Sequence, residues 1–148
     1  MSEYEYSVGE ITLCTEKKKS EKEVGNFIRL KILYILLILS KDYKQNDYEG
    51  IFDYLEEVEE NMSYLSENIV DYLVKVFDKF KVVRKDIIEI KSLVNTLLSG
   101  DWEQSIFNEG VDWIALQEKS KQILLRLEVP LDSDLEEYTD KITMFYHE

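Results

Sequence analysis

The sequence predicts an all-α protein, a bundle of five to six helices around a buried central helix, preceded by a short N-terminal hairpin or arm. Residues 32–39 are eight consecutive apolar side chains, and apolar residues recur at three- and four-residue spacing through most of the remaining chain. Glycine (5) and proline (1) are scarce among the 148 residues, which favours long regular elements.

The central helix is predicted to begin at Ser20, which forms a capping-box pattern with Glu23. A helix that is apolar on every side must be surrounded by other elements. The apolar stretch over residues 27–39 is too short to cross a bilayer, which needs about 20 residues, and Arg29 and Lys31 interrupt it. We therefore expect a core helix and no membrane contact.

The first 19 residues are predicted to form a small hairpin or an arm, and residues 20–148 one helical domain. Apolar and polar residues alternate over residues 4–8 and again over 11–13, on either side of Gly9-Glu10. This pattern is typical of two strands joined by a two-residue turn. Because an isolated hairpin is only marginally stable in water, an ordered arm or a frayed tail stays open as an alternative.

A second helix is predicted over about residues 48–62, with Asn46 and Glu49 as its capping pair. Its apolar residues recur at helical spacing, which predicts one buried stripe. That stripe is expected to include Ile51, Phe52, Leu55 and Val58.

The remaining chain shows the same apolar period. Stripes over residues 65–80 and 83–98 indicate either two helices or one long bent helix, and a short helical turn, a fifth helix and a C-terminal helix follow. The predicted caps and stops are Ser63, Ser99-Gly100, Asp101 with Gln104, Val129-Pro130, and Ser133 with Glu136.

The net charge is −13, from 18 basic and 31 acidic residues. Such a chain repels nucleic acid and acidic membrane surfaces and attracts basic partners. Cys14 is the only cysteine, and the first 11 residues lack the basic start and apolar run of a secretory signal. We expect a cytoplasmic protein with a basic protein partner and no direct contact with nucleic acid or membrane. The oligomeric state stays open.

The sequence lacks the residue patterns of common catalytic sites. His147 is the only histidine and stands next to the last residue, so no Ser–His or Cys–His pair is expected in the core. There is no Cys/His zinc pattern and no glycine-rich phosphate loop. We therefore expect a non-enzymatic protein with no catalytic residues, no metal ligands and no cofactor.

Negative charge is concentrated in residues 45–74, which hold nine acidic residues and no lysine or arginine. Five carboxylates in this segment are predicted to share one face of the second helix, where each like-charge neighbour costs about 0.2–0.5 kcal/mol. One interpretation is a solvated face whose charge is compensated by Lys75, Lys79, Arg84 and Lys85. The other is a docking surface for a basic partner. The five carboxylates are Glu49, Asp53, Glu56, Glu57 and Glu60.

Two tryptophans, Trp102 and Trp113, flank Phe107 and the Asn108-Glu109-Gly110 turn. Tryptophan is enriched at the energetic centres of protein interfaces, which makes both residues candidate partner contacts. Tryptophan is also a large core residue, so the alternative is that both close one end of the bundle.

Three functions of different classes follow from these observations. The leading one is an acidic protein that binds and neutralises a basic, nucleic-acid-handling or toxin protein, as an immunity protein, an antitoxin or a viral nucleic-acid mimic does. The alternative is a structural or scaffold subunit that packs through apolar helix faces. The third is a carboxylate enzyme or divalent-metal binder, since two carboxylates alone can catalyse some hydrolyses.

Overall fold

The computed structural model describes residues 3–43, 48–108 and 110–148, and it describes residues 48 and 49 by their backbone alone. The described chain is mostly helical and begins with a two-stranded antiparallel hairpin, as the sequence predicts. Seven α-helices are present among these residues, against the five to six expected. The strands are β1 (Tyr4–Val8) and β2 (Ile11–Thr15), and the helices are α1 (Glu21–Ser40), α2 (Tyr48–Glu60), α3 (Glu67–Val76), α4 (Arg84–Ser99), α5 (Trp102–Phe107), α6 (Val111–Arg126) and α7 (Leu135–His147).

Helix α1 is buried on all sides along its second half. Every residue from 32 to 40 is buried, and the helix packs against α2, α3, α6 and α7. At its start the Ser20 hydroxyl accepts from the Glu23 backbone N–H, and the Glu23 carboxylate accepts from the Ser20 N–H, both at 3.1 Å. The predicted capping box and the burial of the apolar run are confirmed.

The hairpin is ordered and joins the core. Its register pairs Tyr4 with Thr15 and Val8 with Ile11. Gly9, the first residue of the two-residue turn, has φ +55, a conformation that glycine adopts more readily than other residues. Val8, Ile11 and Leu13 are buried in the common core, and this burial supplies the support that an isolated hairpin lacks.

Residues 64–98 form two separate helices. A 3₁₀ segment, Asp78–Val83, separates α3 from α4, and it buries Phe80 and Val83. The predicted cap at Ser63 is wrong, because α3 begins at Glu67 and Ser63 lies in a preceding 3₁₀ turn.

The later helix ends follow local hydrogen bonds. The Asp101 carboxylate accepts from the Gln104 N–H at 3.1 Å, as predicted. The cap of α7 is Asp134 rather than Ser133, because the Asp134 carboxylate accepts from the Glu136 N–H and the Ser133 hydroxyl donates to the Pro130 carbonyl. The predicted cap formed by Asn46 and Glu49 lies outside the described residues.

Helix α2 buries only part of its apolar stripe. Ile51, Leu55 and Val58 are buried, whereas Phe52 is 48% exposed. The prediction that Phe52 is buried is wrong, because Phe52 lies at the edge of the stripe and its ring meets Trp102 at the surface.

Within the described part of the chain, no helix combines the length and the apolar character that a membrane span needs.

We expect Gly25→Ala to lower the free energy of unfolding by about 1–3 kcal/mol, because α1 and α3 approach closely at this position. A Cβ on Gly25 would lie 2.6 Å from Val76 Cγ1 and 2.9 Å from Val76 Cβ. The matched control is Gly50→Ala in α2, where no described atom lies within 4 Å of the added Cβ. The control should leave stability unchanged or raise it by up to about 1 kcal/mol. Urea denaturation measures both variants, and equal effects would contradict the close approach.

Candidate functional site

The outer side of α2 carries exposed carboxylates. Asp53, Glu56 and Glu60 are all exposed, on the side of the helix opposite its buried residues. We call these three residues the acidic face. The side chain of Glu49, another of the five residues predicted for one face of this helix, lies outside the described residues.

Glu57, which was also predicted to contact a partner, makes a contact inside the protein. It is partly buried, and its Oε2 accepts a hydrogen bond from the hydroxyl of Tyr34 on α1. Burial raises the pKa of Tyr34, and the hydrogen bond to the Glu57 carboxylate raises this pKa further. Glu57 therefore ties α2 to α1, and we leave it out of the acidic face.

Lys31 is a base on the side of α1 that faces Glu57, and its ammonium group is held inside the protein. Its Nζ donates to Asn61 Oδ1 at 3.2 Å and lies 5.8 Å and 5.4 Å from the ring centroids of Phe27 and Tyr64. Burial lowers the pKa of Lys31, and the Glu57 carboxylate partly offsets this by raising it. Because its ammonium group makes these inward contacts, Lys31 forms no ion pair with the described outer carboxylates of α2.

The acidic face is not neutralised by any base that the structure describes. No described lysine or arginine nitrogen lies within 4.0 Å of a carboxylate oxygen of Asp53, Glu56, Glu59 or Glu60. The face therefore presents its charge to solvent.

Arg84, one of the bases expected to compensate the acidic face, forms ion pairs elsewhere. Its guanidinium lies 2.9 Å from Glu67 Oε1 and 2.5 Å from Asp71 Oδ1, both on α3. The hydrogen bond to the Asp71 carboxylate raises the pKa of Arg84, and the same hydrogen bond lowers the pKa of Asp71. Arg84 thus compensates acids of α3 and contributes nothing within ion-pair distance to α2.

A groove between α2 and the α4–α5 corner borders the acidic face. Its volume is about 270 Å³. The rings of Phe52 and Trp102 meet in it, with centroids 6.0 Å apart and planes inclined at 46°. The groove is lined by Phe52, Leu55, Glu56, Glu59, Leu98 and Trp102.

Sequence reasoning missed two residues of this groove, Phe52 and Glu59. Phe52 was assigned to the buried stripe, and Glu59 was not among the five carboxylates predicted for the acidic side of α2. Both lie at the boundary between the apolar and the acidic sides of α2. An apolar residue beside an acid at that boundary is the signal that could have indicated the groove.

The two tryptophans occupy different environments. Trp102 is partly buried and lines the groove, whereas Trp113 is only 3% exposed. The Trp113 ring packs beside Tyr43 with centroids 6.0 Å apart, and its backbone N–H donates to Ser105 Oγ at 3.3 Å. Trp113 is therefore a core residue in this structure, and of the two tryptophans only Trp102 lines the groove.

Two other cavities carry charges of both signs. One, of about 460 Å³ between the start of α1 and the end of α7, is lined by Lys19, Lys22 and Lys141 but also by Glu23 and Glu148. The other, of about 390 Å³ between α4 and α6, places Lys119 beside Glu89 and Glu118. Of the three cavities, only the groove on α2 has charged residues of one sign.

The described residues include no group of three or more His, Cys, Asp or Glu side chains arranged to hold a metal ion. Cys14 is exposed and unpaired with another cysteine. His147 lies on the surface with its Nδ1 3.3 Å from Glu16 Oε1.

Comparison of the chain with protein-family models, with curated proteins and with solved structures finds no match.

We expect Tyr34→Phe to lower the free energy of unfolding at pH 7 by about 1–3 kcal/mol, because it leaves the partly buried Glu57 carboxylate without its donor. Because the pKa of Tyr34 is raised in the folded protein, the free energy of unfolding also depends on pH. The stabilising contribution of Tyr34 is full below about pH 10, the pKa of an unfolded tyrosine, and is lost as the pH rises from there toward the folded pKa. Stability should therefore fall less steeply above pH 10 in the variant than in the wild type.

Urea denaturation between pH 8 and 11 measures both effects. The control is Tyr4→Phe, which removes a hydroxyl from a residue that is 39% exposed on the hairpin and should leave the stability at pH 8 unchanged. Identical slopes for Tyr34→Phe and the wild type would contradict the proposed contact.

Proposed function

We propose that this protein binds a basic surface of a partner protein through the acidic face of α2. The observation that supports this proposal is the exposure of Asp53, Glu56 and Glu60 with no described base within 4.0 Å. A basic partner would relieve the repulsion among these carboxylates, so the free energy they cost the isolated protein favours the complex.

The row of carboxylates on the acidic face indicates the class of partner protein. A row of carboxylates along a rigid helix resembles, in charge, the phosphates that a nucleic-acid-binding cleft receives. We propose that the protein neutralises such a cleft or another basic protein site, as an immunity protein, an antitoxin or a viral nucleic-acid mimic would. In this proposal it acts without catalysis or a cofactor, in the cytoplasm, where a chain with one cysteine needs no disulfide.

We also propose that residues 20–148 form one helical bundle centred on α1. The packing of α1 against α2, α3, α6 and α7 supports this arrangement. A face supported by such a core would be presented with little loss of conformational entropy on binding.

The alternative function is a scaffold subunit, which an apolar patch on α6 favours. Val111 is 84% exposed, and Ile114, one helical turn later, is 40% exposed. Association through this patch would depend weakly on salt, whereas association through the acidic face should weaken steeply as salt rises.

The first test reverses the acidic face with Asp53→Lys/Glu56→Lys/Glu60→Lys. We expect wild-type protein to retain a lysine- and arginine-rich protein from lysate at low salt, and the variant to bind that purified protein at least tenfold more weakly, a loss of about 1.4 kcal/mol. Titration calorimetry at two salt concentrations measures the affinity, and circular dichroism confirms that the variant is folded.

The matched control makes the same change of charge on α7, with Glu136→Lys/Glu137→Lys/Asp140→Lys at three exposed positions. It should bind within about threefold of the wild type, because only a local contact requires the α2 carboxylates. Equal losses in both variants would show a general effect of net charge. Equal affinity in the reversed and wild-type proteins would refute the proposal.

A second test uses the double variant Val111→Asp/Ile114→Asp. It distinguishes the scaffold function from partner binding through the acidic face. We expect no change in partner affinity or in the molar mass measured by light scattering, because binding through α2 does not use this patch. If these substitutions abolish association while reversal of the acidic face does not, the scaffold function is the correct one.

A further inference from the structure

We infer that the groove on α2 receives an arginine side chain of the partner. This inference rests on the proposed function and identifies the group that the partner inserts. Phe52 and Trp102 supply two aromatic rings, with centroids 6.0 Å apart, and Glu56 and Glu59 supply two carboxylates at the same groove. Aromatic faces and carboxylates both attract cations.

The charge of the groove excludes an uncharged occupant. A neutral apolar group would remove water from the carboxylates of Glu56 and Glu59. It would offer them neither a hydrogen bond nor a positive charge in return. A cation compensates the two carboxylates and also covers the Phe52 ring, which is 48% exposed although it is apolar. The occupant is therefore expected to combine a positive charge with a body that can pack on an aromatic ring.

Arginine fits this combination better than lysine. The guanidinium is planar, so it stacks on an aromatic ring, and its five N–H donors can reach two carboxylates at once. The lysine ammonium is a compact, strongly hydrated charge that does not stack. A methylated ammonium would satisfy the rings, but it would lack the donors that Glu56 and Glu59 can accept.

The size of the groove also suits a single side chain. Its volume of about 270 Å³ lies below the range of about 300–1,000 Å³ that is usual for drug-sized ligands. It lies directly beside the acidic face, so the same partner surface can meet both. We place the arginine on the exposed part of the Phe52 ring, beside Trp102, with its guanidinium directed to Glu56 and Glu59.

The test uses full-length protein and the blocked tripeptide Gly-Arg-Gly, with Gly-citrulline-Gly and Gly-Lys-Gly as controls. Citrulline has the shape of arginine without its charge. The two-dimensional NMR signals of the indole N–H groups report the binding, and Trp102→Phe assigns them. We expect a saturable shift at Trp102, no shift at the buried Trp113, and dissociation constants at least tenfold weaker for citrulline and at least threefold weaker for lysine.

Glu59→Gln is the variant for this test, because Glu59 lines the groove but is not part of the acidic face. It should weaken binding of the arginine peptide at least threefold. Glu118→Gln, which changes an exposed glutamate on α6, should leave this binding unchanged. Equal binding of arginine and citrulline, or arginine binding that leaves Trp102 unmoved, would overturn the inference.

The outcome is distinguishable from failure of the proposed function. Suppose the arginine peptide shifts Trp102 but reversal of the acidic face leaves partner binding intact. Then the groove recognises arginine, and the proposed use of the acidic face is wrong. If reversal abolishes partner binding but the peptide leaves Trp102 unmoved, the acidic face binds the partner and the groove does not take arginine.

Discussion

The burial of α1 on every side is the constraint on which the rest of the structure depends. Each large aliphatic side chain removed from water contributes about 1.5–3 kcal/mol, while the net stability of a whole domain is only about 5–15 kcal/mol. A chain with seven such residues and Tyr34 in one run of eight cannot leave that helix uncovered. The other helices must each pack an apolar side against α1 or its neighbours. Their acidic residues are consequently directed outward.

The fold distributes this outward charge unevenly. On α3 and α4 the acids have bases close by, since Arg84 pairs with Glu67 and Asp71, and Lys119 on α6 lies within 4 Å of Asp86 and Glu89. On α2, among the residues that the structure describes, only the Glu57 carboxylate has internal partners, namely the hydroxyl of Tyr34 and the charge of Lys31. Surface ion pairs contribute little to stability, so this contrast has little effect on folding.

Local signals in the sequence predicted the helices, the hairpin and the capping box at Ser20, because each depends on residues within a few positions of one another. The details of the candidate site depend on residues far apart in the chain. Tyr34 meets Glu57 across 23 positions, and Phe52 meets Trp102 across the groove. A helical period shows which side of α2 is polar. It does not show what lies opposite the boundary between the two sides, and for this reason the exposure of Phe52 and the contact between Tyr34 and Glu57 could not be predicted.

The helices that cover α1 come late in the chain. Gln117 on α6, for example, donates to the Lys41 carbonyl across 76 positions, and α7 follows α6. During synthesis α1 is therefore made long before α6 and α7 exist, and the sides of α1 that these two helices cover stay open for that interval. Contacts between distant residues also slow folding, and exposed apolar segments are prone to aggregate. A chain that lacks α6 and α7 would therefore be prone to aggregate through the uncovered sides of α1.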